Sequence, residues 1–473
     1  MAEQRKYLSQ NDTIMWTVEA DPLLRSTIVG IAVLDHRPDD DHLRRRVEHA
    51  MAMVPELRRR VEAAPLHPNV LRWVDDPHVD VRQHLHHIRV PEGGTLHDAL
   101  EIARATAATG FDRARPLWDF TLIDGLADGR AVWCMKAHHV LTDGIGSVQL
   151  AAHLFDFESD APPPETPAVA HGRPSGLVAD LAEIIEHDID GIIGLTRRGL
   201  GSVVPGMLHA VRHPRSAVAD TVEVARSIGR LVQPVSSQLS PLMRDRMLAG
   251  SFRVIDIDVA AMKEAAARHG GRLNDAFLAG ITGGMRRYHE MHEADVAHLR
   301  VAMPISLRSE DHEAGGNHVT VMRFVVPVDI TDAGCRLREL SRQVQHIREE
   351  RSIDYTEIVA GALNVMPKGV IGSMLKRVDF LASNVPGVPV PMWLAGAAVE
   401  RFYPFGPTAG SAVNITLMSY NGTCCIGVNT DGAAIPDPDV PSFREKMAPV
   451  LTNFTTKTGA KGKAFVDAVI AAA

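Results

Sequence analysis

Two adjacent histidines with an aspartate just beyond them, His138-His139-Val140-Leu141-Thr142-Asp143-Gly144, are the residues of this chain best suited to chemistry. An imidazole titrates near a pKa of about 6.5, so a small shift lets it take a proton from a hydroxyl or amine at neutral pH. Asp143 is better suited to holding the loop in shape, and Gly144 leaves room for a substrate to approach. Spacing alone leaves three readings open: a general base, a metal site, or chance adjacency in a chain with 23 histidines. Metal is the least favoured, because neighbours in sequence diverge in direction and no spaced His or Cys pair stands nearby.

The surrounding pattern positions the pair. Ala131 to Lys136 reads as a buried strand and Gly144 to Leu150 as a helix entry, which sets the histidines on a strand-to-helix loop. Further strands are expected at Ile28–Leu34, Leu71–Val74, His86–Val90 and Leu117–Leu126. Helices are expected from Asp39-Asp40-Asp41 to near Arg60 and over Thr95–Ala108. His84, His86 and His87 form a second histidine cluster, read as surface or packing because no carboxylate or cysteine completes a ligand set.

Ala161-Pro162-Pro163-Pro164-Glu165-Thr166-Pro167 cannot continue a helix and ends the first domain. An acidic amphipathic helix is expected over Leu177–Ile193. A basic apolar stretch, 197–233, follows; it suits a lipid surface, though a packed crossover explains it better. The second domain starts near Phe252–Ile257, with strands at Leu299–Pro304, Val319–Val328, Val378–Ser383, Val399–Tyr403, Val413–Tyr420 and Thr423–Thr430. Helices are expected at Val259–His269, Ala276–Tyr288, Gly334–Arg351, Tyr355–Val365 and Pro441–Thr455. The division is therefore residues 1–160, a linker and crossover at 161–250, and residues 251–473.

At 473 residues, 23% charged and 45% hydrophobic, the chain is a globular protein of about two domains. A net charge of -8 argues against a nucleic-acid partner. Cys134, Cys335, Cys424 and Cys425 lack ligand spacing and suit a reducing compartment. Neither a signal peptide nor a bilayer-spanning apolar run is found, so the expectation is a cytoplasmic protein, soluble or peripheral to membrane or lipid droplets.

With Pro116-Leu117-Trp118 upstream, His-His-x-x-x-Asp-Gly resembles the active-site motif of the bacterial wax ester synthase/diacylglycerol acyltransferase family. Asn274-Asp275, Met303-Pro304-Ile305-Ser306-Leu307-Arg308, Gly316-Asn317, Ser383-Asn384-Val385-Pro386-Gly387 and Asn414 to Tyr420 resemble further landmarks in the same order, and six ordered matches are not accidental. The amino-terminal segment keeps Leu8-Ser9, Asp12 and Glu19 but has Asp21-Pro22-Leu23-Leu24-Arg25 where Pro-Met-His is usual, and Val388 replaces a proline.

The resemblance implies an α/β protein of two chloramphenicol acetyltransferase-like lobes, with mixed sheets and an interlobe tunnel. It implies acyl transfer from acyl-CoA to a hydroxyl acceptor, diacylglycerol or a fatty alcohol, with acyl-CoA as co-substrate and no metal or other cofactor. His139 is then the base and His138 shapes the loop. Asp143 pairs with an arginine, Arg58 before Arg308 or Arg60. Asn274 donates to the tetrahedral intermediate, although it can equally be a helix cap. Ser383, Asn384 and Asn414 line the tunnel, and Trp118 belongs to the substrate-binding set, packed beneath the site. The alternatives are a condensation-type or polyketide-associated transferase using a carrier-bound donor, and a catalytically inactive lipid-binding protein. Thiol release from acyl-CoA in the presence of an alcohol separates an active enzyme from the last of these.

Overall fold

The computed structural model describes residues 7–64, 67–141, 147–167, 238–306, 319–348, 376–385 and 387–433. The helices expected at Leu177–Ile193, Tyr355–Val365 and Pro441–Thr455, the basic stretch, Arg308 and Gly316-Asn317 lie outside these residues.

Within them the chain runs α1 (Gln10–Val18), β1 (Thr27–Leu34), α2 (Asp40–Met53), β2 (Arg59–Ala64), β3 (His67–Asp75), β4 (Leu85–Gly94), α3 (Leu96–Ala108), β5 (Trp118–Leu126) and β6 (Ala131–His138). It continues with α4 (Ser147–Leu154), β7 (Gly250–Asp258), α5 (Val259–Ala267), α6 (Leu273–Met291), β8 (His298–Ser306), β9 (Val319–Pro327) and α7 (Ala333–Arg348). The last strands are β10 (Phe380–Val385), β11 (Trp393–Leu394), β12 (Ala397–Phe405), β13 (Val413–Tyr420) and β14 (Thr423–Asp431).

Two six-stranded mixed sheets organise the molecule, in the orders β11-β12-β1-β6-β5-β4 and β7-β14-β13-β10-β8-β9. In the first, β4 and β5 are parallel and joined through α3, the connection a parallel pair requires. β5 and β6 form a hairpin whose turn places Gly129 at φ 82, a left-handed conformation costly for residues with a Cβ. β1 is buried along nearly its whole length because it lies inside the sheet, between β6 and β12. Its register sets Thr27 opposite His138, so the histidine is the last residue of β6, at the sheet's end.

Three expectations change. The helix expected to reach Arg60 stops at Met53, because Pro55 has no N–H to continue the ladder; a 3-10 turn at Pro55–Arg58 and then β2 follow. Helix α6 begins at Leu273 with Arg272 as its N-cap, so Asn274 is inside the first turn and Asp275 is the residue reaching back, accepting the Arg272 N–H at 2.7 Å. Finally, a boundary at 251 does not divide the sheets: Trp393–Leu394 and Ala397–Phe405 belong to the first one.

That strand exchange joins the lobes. β12 packs against β13 and β14, and α3 against β7. Phe252 stacks on Phe405 with centroids 4.1 Å apart, Arg253 meets Glu101 at 3.3 Å, and Asp256 accepts from Arg401 at 2.6 Å and from the Tyr403 hydroxyl at 2.8 Å. The first core includes Phe252, Tyr420 and Cys425 from the second sheet, so the apolar interior is continuous across the boundary.

Candidate active site

His138 is 1% exposed. Its Nδ1 accepts the Val140 N–H at 3.2 Å, which places the ring proton on Nε2, 3.0 Å from Glu19 Oε2. The ring is boxed by edge contacts to Trp16, with centroids 5.7 Å apart, and to Phe111 at 6.0 Å. The chain becomes helical at His139, so the Val140 N–H is among the donors a helix start leaves unpaired by its own ladder.

Glu19 is fixed from several sides. It follows α1, whose start is held by a capping box between Ser9 and Asp12. Its Oε1 accepts the Ser26 N–H at 3.3 Å, and Arg113 lies 3.3 Å from Oε2 while its guanidinium covers the Trp16 ring at 4.2 Å. Burial pushes the Glu19 carboxyl up, but the His138 hydrogen bond, the Ser26 N–H and Arg113 together hold it below the usual carboxylate range. Ser26 then carries the connection onward, since its carbonyl accepts the His139 N–H at 2.8 Å. The segment 19–26 thus holds His138 by side chain and half-buried His139 by backbone.

Lys136 faces the same side of β6 as His138. Only 1% exposed, it donates to Thr109 Oγ1 at 2.9 Å, lies 3.4 Å from Asp119 Oδ2 and sits 4.3 Å over the Phe111 ring. It thereby secures the 109–113 turn that supplies Phe111 and Arg113. Sequence reading gave no role to Lys136, Phe111, Trp16 or Arg113 and noted Glu19 only as part of a pattern. No periodicity connects residues that meet only through folding.

Trp118 is fully buried, donates from Nε1 to the Leu57 carbonyl at 2.8 Å and stacks on His84 at 4.5 Å. The ring is therefore enclosed by protein on every side. His84 Nδ1 is 2.7 Å from the Trp118 carbonyl, whereas His86 and His87 face Asp119 at 3.6 Å and Asp124 at 3.0 Å. Among the described residues, no group of three His, Cys, Asp or Glu side chains is arranged to hold a metal ion.

From the second lobe, Asn384 at the end of β10 donates from Nδ2 to Asn274 Oδ1 at 2.7 Å, so two expected site residues meet, both half-buried. Ser383 is beside them and half-buried. Asn414 does different work: its Nδ2 donates to the Pro407 carbonyl at 2.6 Å and its Oδ1 accepts from Thr416 at 2.8 Å. The amide thus packs against the 406–407 backbone, where a Cβ on Gly406 would fall 2.5 Å from Asn414 Nδ2.

Asp143 and Gly144 lie outside the described residues, and with them the expected Asp143–Arg58 pair. Arg58 is half-buried, and burial lowers its pKa. Arg60 is engaged by Glu62 at 2.6 Å.

The sequence matches the profile of the wax ester synthase/diacylglycerol acyltransferase catalytic domain over residues 7–277 and of the WS/DGAT C-terminal domain over 315–443. The chain belongs to this family. Similar relatives include a Mycobacterium tuberculosis (strain H37Rv) protein named as a diacylglycerol O-acyltransferase, 35% identical over 91% of this chain and 88% of its own length. The O-acyltransferase WSD of Acinetobacter baylyi is 26% identical over 78% of this chain and 80% of its own.

Among solved structures, the wax ester synthase/diacylglycerol acyltransferase of Marinobacter aquaeolei VT8 superposes with a TM-score of 0.63 at 20% identity, covering 94% of this chain and 99% of that one. The starter condensation domain of rhizomide synthetase, in complex with C8-CoA and Leu-SNAC, gives 0.55 at 12%, over 93% and 92%. The two-lobed acyltransferase fold is therefore that of the family. The WS/DGAT catalytic profile ends within α6, so it takes in the first lobe's histidines and the second lobe's Asn274 together.

Proposed function

We propose that this O-acyltransferase moves a long-chain acyl group from acyl-CoA to the hydroxyl of a lipid acceptor, diacylglycerol or a long-chain alcohol, with His139 as general base. The observation that carries the assignment is the state of its neighbour. With Nδ1 accepting from Val140 and Nε2 donating to Glu19, His138 has no lone pair for a substrate proton. His139 is the motif's other imidazole, with its backbone held through Ser26.

In the proposed reaction, His139 takes the acceptor's hydroxyl proton as the oxygen attacks the thioester carbonyl. The C–O bond forms, the tetrahedral intermediate collapses with loss of the C–S bond, and the imidazolium returns its proton to the leaving coenzyme A thiolate. No covalent acyl-enzyme is needed, because alignment of two bound substrates supplies much of the acceleration. The bond from Asn384 occupies the oxygen end of the Asn274 amide, leaving its NH2 end as the donor for the developing oxyanion. Asp143 and Arg58 are assigned a structural ion pair that holds the loop, and no metal or redox group enters the reaction.

Among the described residues no helix is long and apolar enough to cross a membrane. The reading is a cytoplasmic enzyme that meets its lipid at the surface of a membrane or droplet. The test is thiol release from palmitoyl-CoA by the purified chain, with 1-hexadecanol, dioleoylglycerol or neither present. Acceptor-dependent release with the matching ester as product is expected; thiol release with no ester formed would overturn the reading.

A further inference from the structure

The strand that delivers the histidine pair also carries a lysine that is 1% exposed, and the proposed proton transfers do not use it. Lys136 stands opposite Val29 of β1 in one ladder and opposite Asp119 of β5 in the other. Burial lowers its pKa against the pull of Asp119. A buried ion pair is weak evidence for stability, because well-packed apolar residues of similar volume serve the fold as well or better. The stability of β6 therefore does not account for a charge at position 136.

The contacts of the ammonium lead toward the site. Nζ donates to Thr109 Oγ1 at 2.9 Å, and that hydroxyl gives its own proton to the Thr106 carbonyl at 2.7 Å, so an outside donor completes it. Thr109 closes α3 and opens the turn that runs to Arg113. Phe111 in that turn has its ring 4.3 Å from the ammonium and 6.0 Å, centroid to centroid, from the His138 imidazole. Arg113 reaches the Trp16 carbonyl at 3.4 Å and, at 3.3 Å, the same Glu19 Oε2 that accepts from His138. Arg25 also grips the end of α3 through the Ala108 carbonyl, but it comes from the 19–26 segment, which is itself among the parts being held. Lys136 ties the turn to the sheet.

We propose that Lys136 is a positioning residue for acyl transfer: by locking the 109–113 turn to β6 it keeps Phe111 and Arg113 against His138 and Glu19, and so keeps the start of the loop that carries His139 in place. The assignment rests on the acyl-transfer reading above, with His139 as base. Asp119 supplies the counter-charge; its side chain is 27% exposed and also lies 3.6 Å from His86.

The test replaces the pair, Lys136→Met together with Asp119→Asn, so that no charge is stranded, and separately removes the acceptor with Thr109→Val on the exposed turn. Thiol release from palmitoyl-CoA with 1-hexadecanol is read beside thermal melting. The paired variant should lower kcat about tenfold, with KM for both substrates within about twofold and a melting temperature unchanged or raised. Thr109→Val should lower kcat about threefold at an unchanged melting temperature, and adding it to the paired variant should lower kcat no further, because both act through one turn. Parental kcat in the paired variant would overturn the proposal, as would a loss that only follows a fallen melting temperature, or full additivity with Thr109→Val. If the paired variant fails to fold, Thr109→Val decides, and parental kcat there overturns the proposal equally. A wild-type chain releasing no thiol with any alcohol would strike the acyl-transfer reading instead.

Discussion

Among the described residues, each lobe buries one histidine to 1% exposure, and the two are wired in opposite senses. In the first lobe, His138 accepts at Nδ1 from Val140 and donates from Nε2 to Glu19, which is 119 residues away. In the second, His289 donates from Nδ1 to the Met285 carbonyl at 2.7 Å, one turn back on α6, and its Nε2 accepts from the Ser240 hydroxyl at 2.7 Å. Ser240 is itself held by its N–H on Asp379, 3.1 Å away, a carboxyl that burial pushes up despite several backbone donors. Burial and a complete set of partners therefore do not identify a functional histidine. The difference lies in what is presented next: His138 fixes the first residues of the loop that carries His139, whereas His289 fixes only its own helix to a connecting segment.

The comparison breaks first, and by the largest margin, if the residue beside His138 is dispensable. His139→Ala should lower kcat/KM by roughly 10²- to 10⁴-fold with an unchanged melting temperature, measured by thiol release and thermal denaturation. Near-parental turnover would place the base elsewhere.

Asn274→Ala comes next and tests what the second lobe adds. Loss of an oxyanion donor should cost about 10²-fold in kcat with little change in KM. A loss confined to stability would reduce Asn274 to a partner for Asn384.

The two buried histidines themselves separate by readout. His138→Ala should lower both kcat, by about tenfold, and stability, because it releases Val140 and leaves Glu19 Oε2 with Arg113 alone. His289→Ala should cost about 1–3 kcal/mol of stability through the stranded Ser240 hydroxyl and Met285 carbonyl, with kcat within about twofold. Equal effects on kcat would erase the distinction drawn between them.

What the sequence made legible was local. The apolar run before His138 is β6, the Thr95 start is a capping box with Asp98, and the strands expected at Val413–Tyr420 and Thr423–Thr430 are the β13–β14 hairpin. Family order added Asn274 and Asn384, which do meet. What stayed hidden was long-range. β12 looks like an ordinary second-lobe strand, and only its pairing with β1, more than 360 residues earlier, puts it in the first sheet. Glu19 and Arg113 lie in segments without periodicity, and their purpose is visible only where they converge on His138. Asn414 enters through the same family order, and nothing in the sequence announces that its amide is engaged by the Pro407 carbonyl and the Thr416 hydroxyl.

The smallest expected effect is also the one that places the two histidine networks on separate parts of the pH scale. Glu19 titrates below its ordinary 4.5 in the folded chain, so its contribution to stability is complete above that value and is lost as pH falls through the folded pKa. His289 is held below its ordinary 6.5 by burial, so the unfolded chain takes up its proton first and stability declines as pH falls from 6.5 toward the depressed value. Glu19→Gln keeps the shape and removes the charge, and His289→Asn removes the titration while keeping polar atoms. Melting curves at about pH 7.5, 5.5 and 4 should show the wild-type advantage over His289→Asn shrinking already between the first two. The advantage over Glu19→Gln should hold there and shrink only at the lowest pH. If both advantages faded together below pH 4.5, the His289 ring would not be holding its neutral form against protonation, and the contrast between a histidine bonded directly to a carboxylate and one bonded to a carbonyl and a hydroxyl would fail.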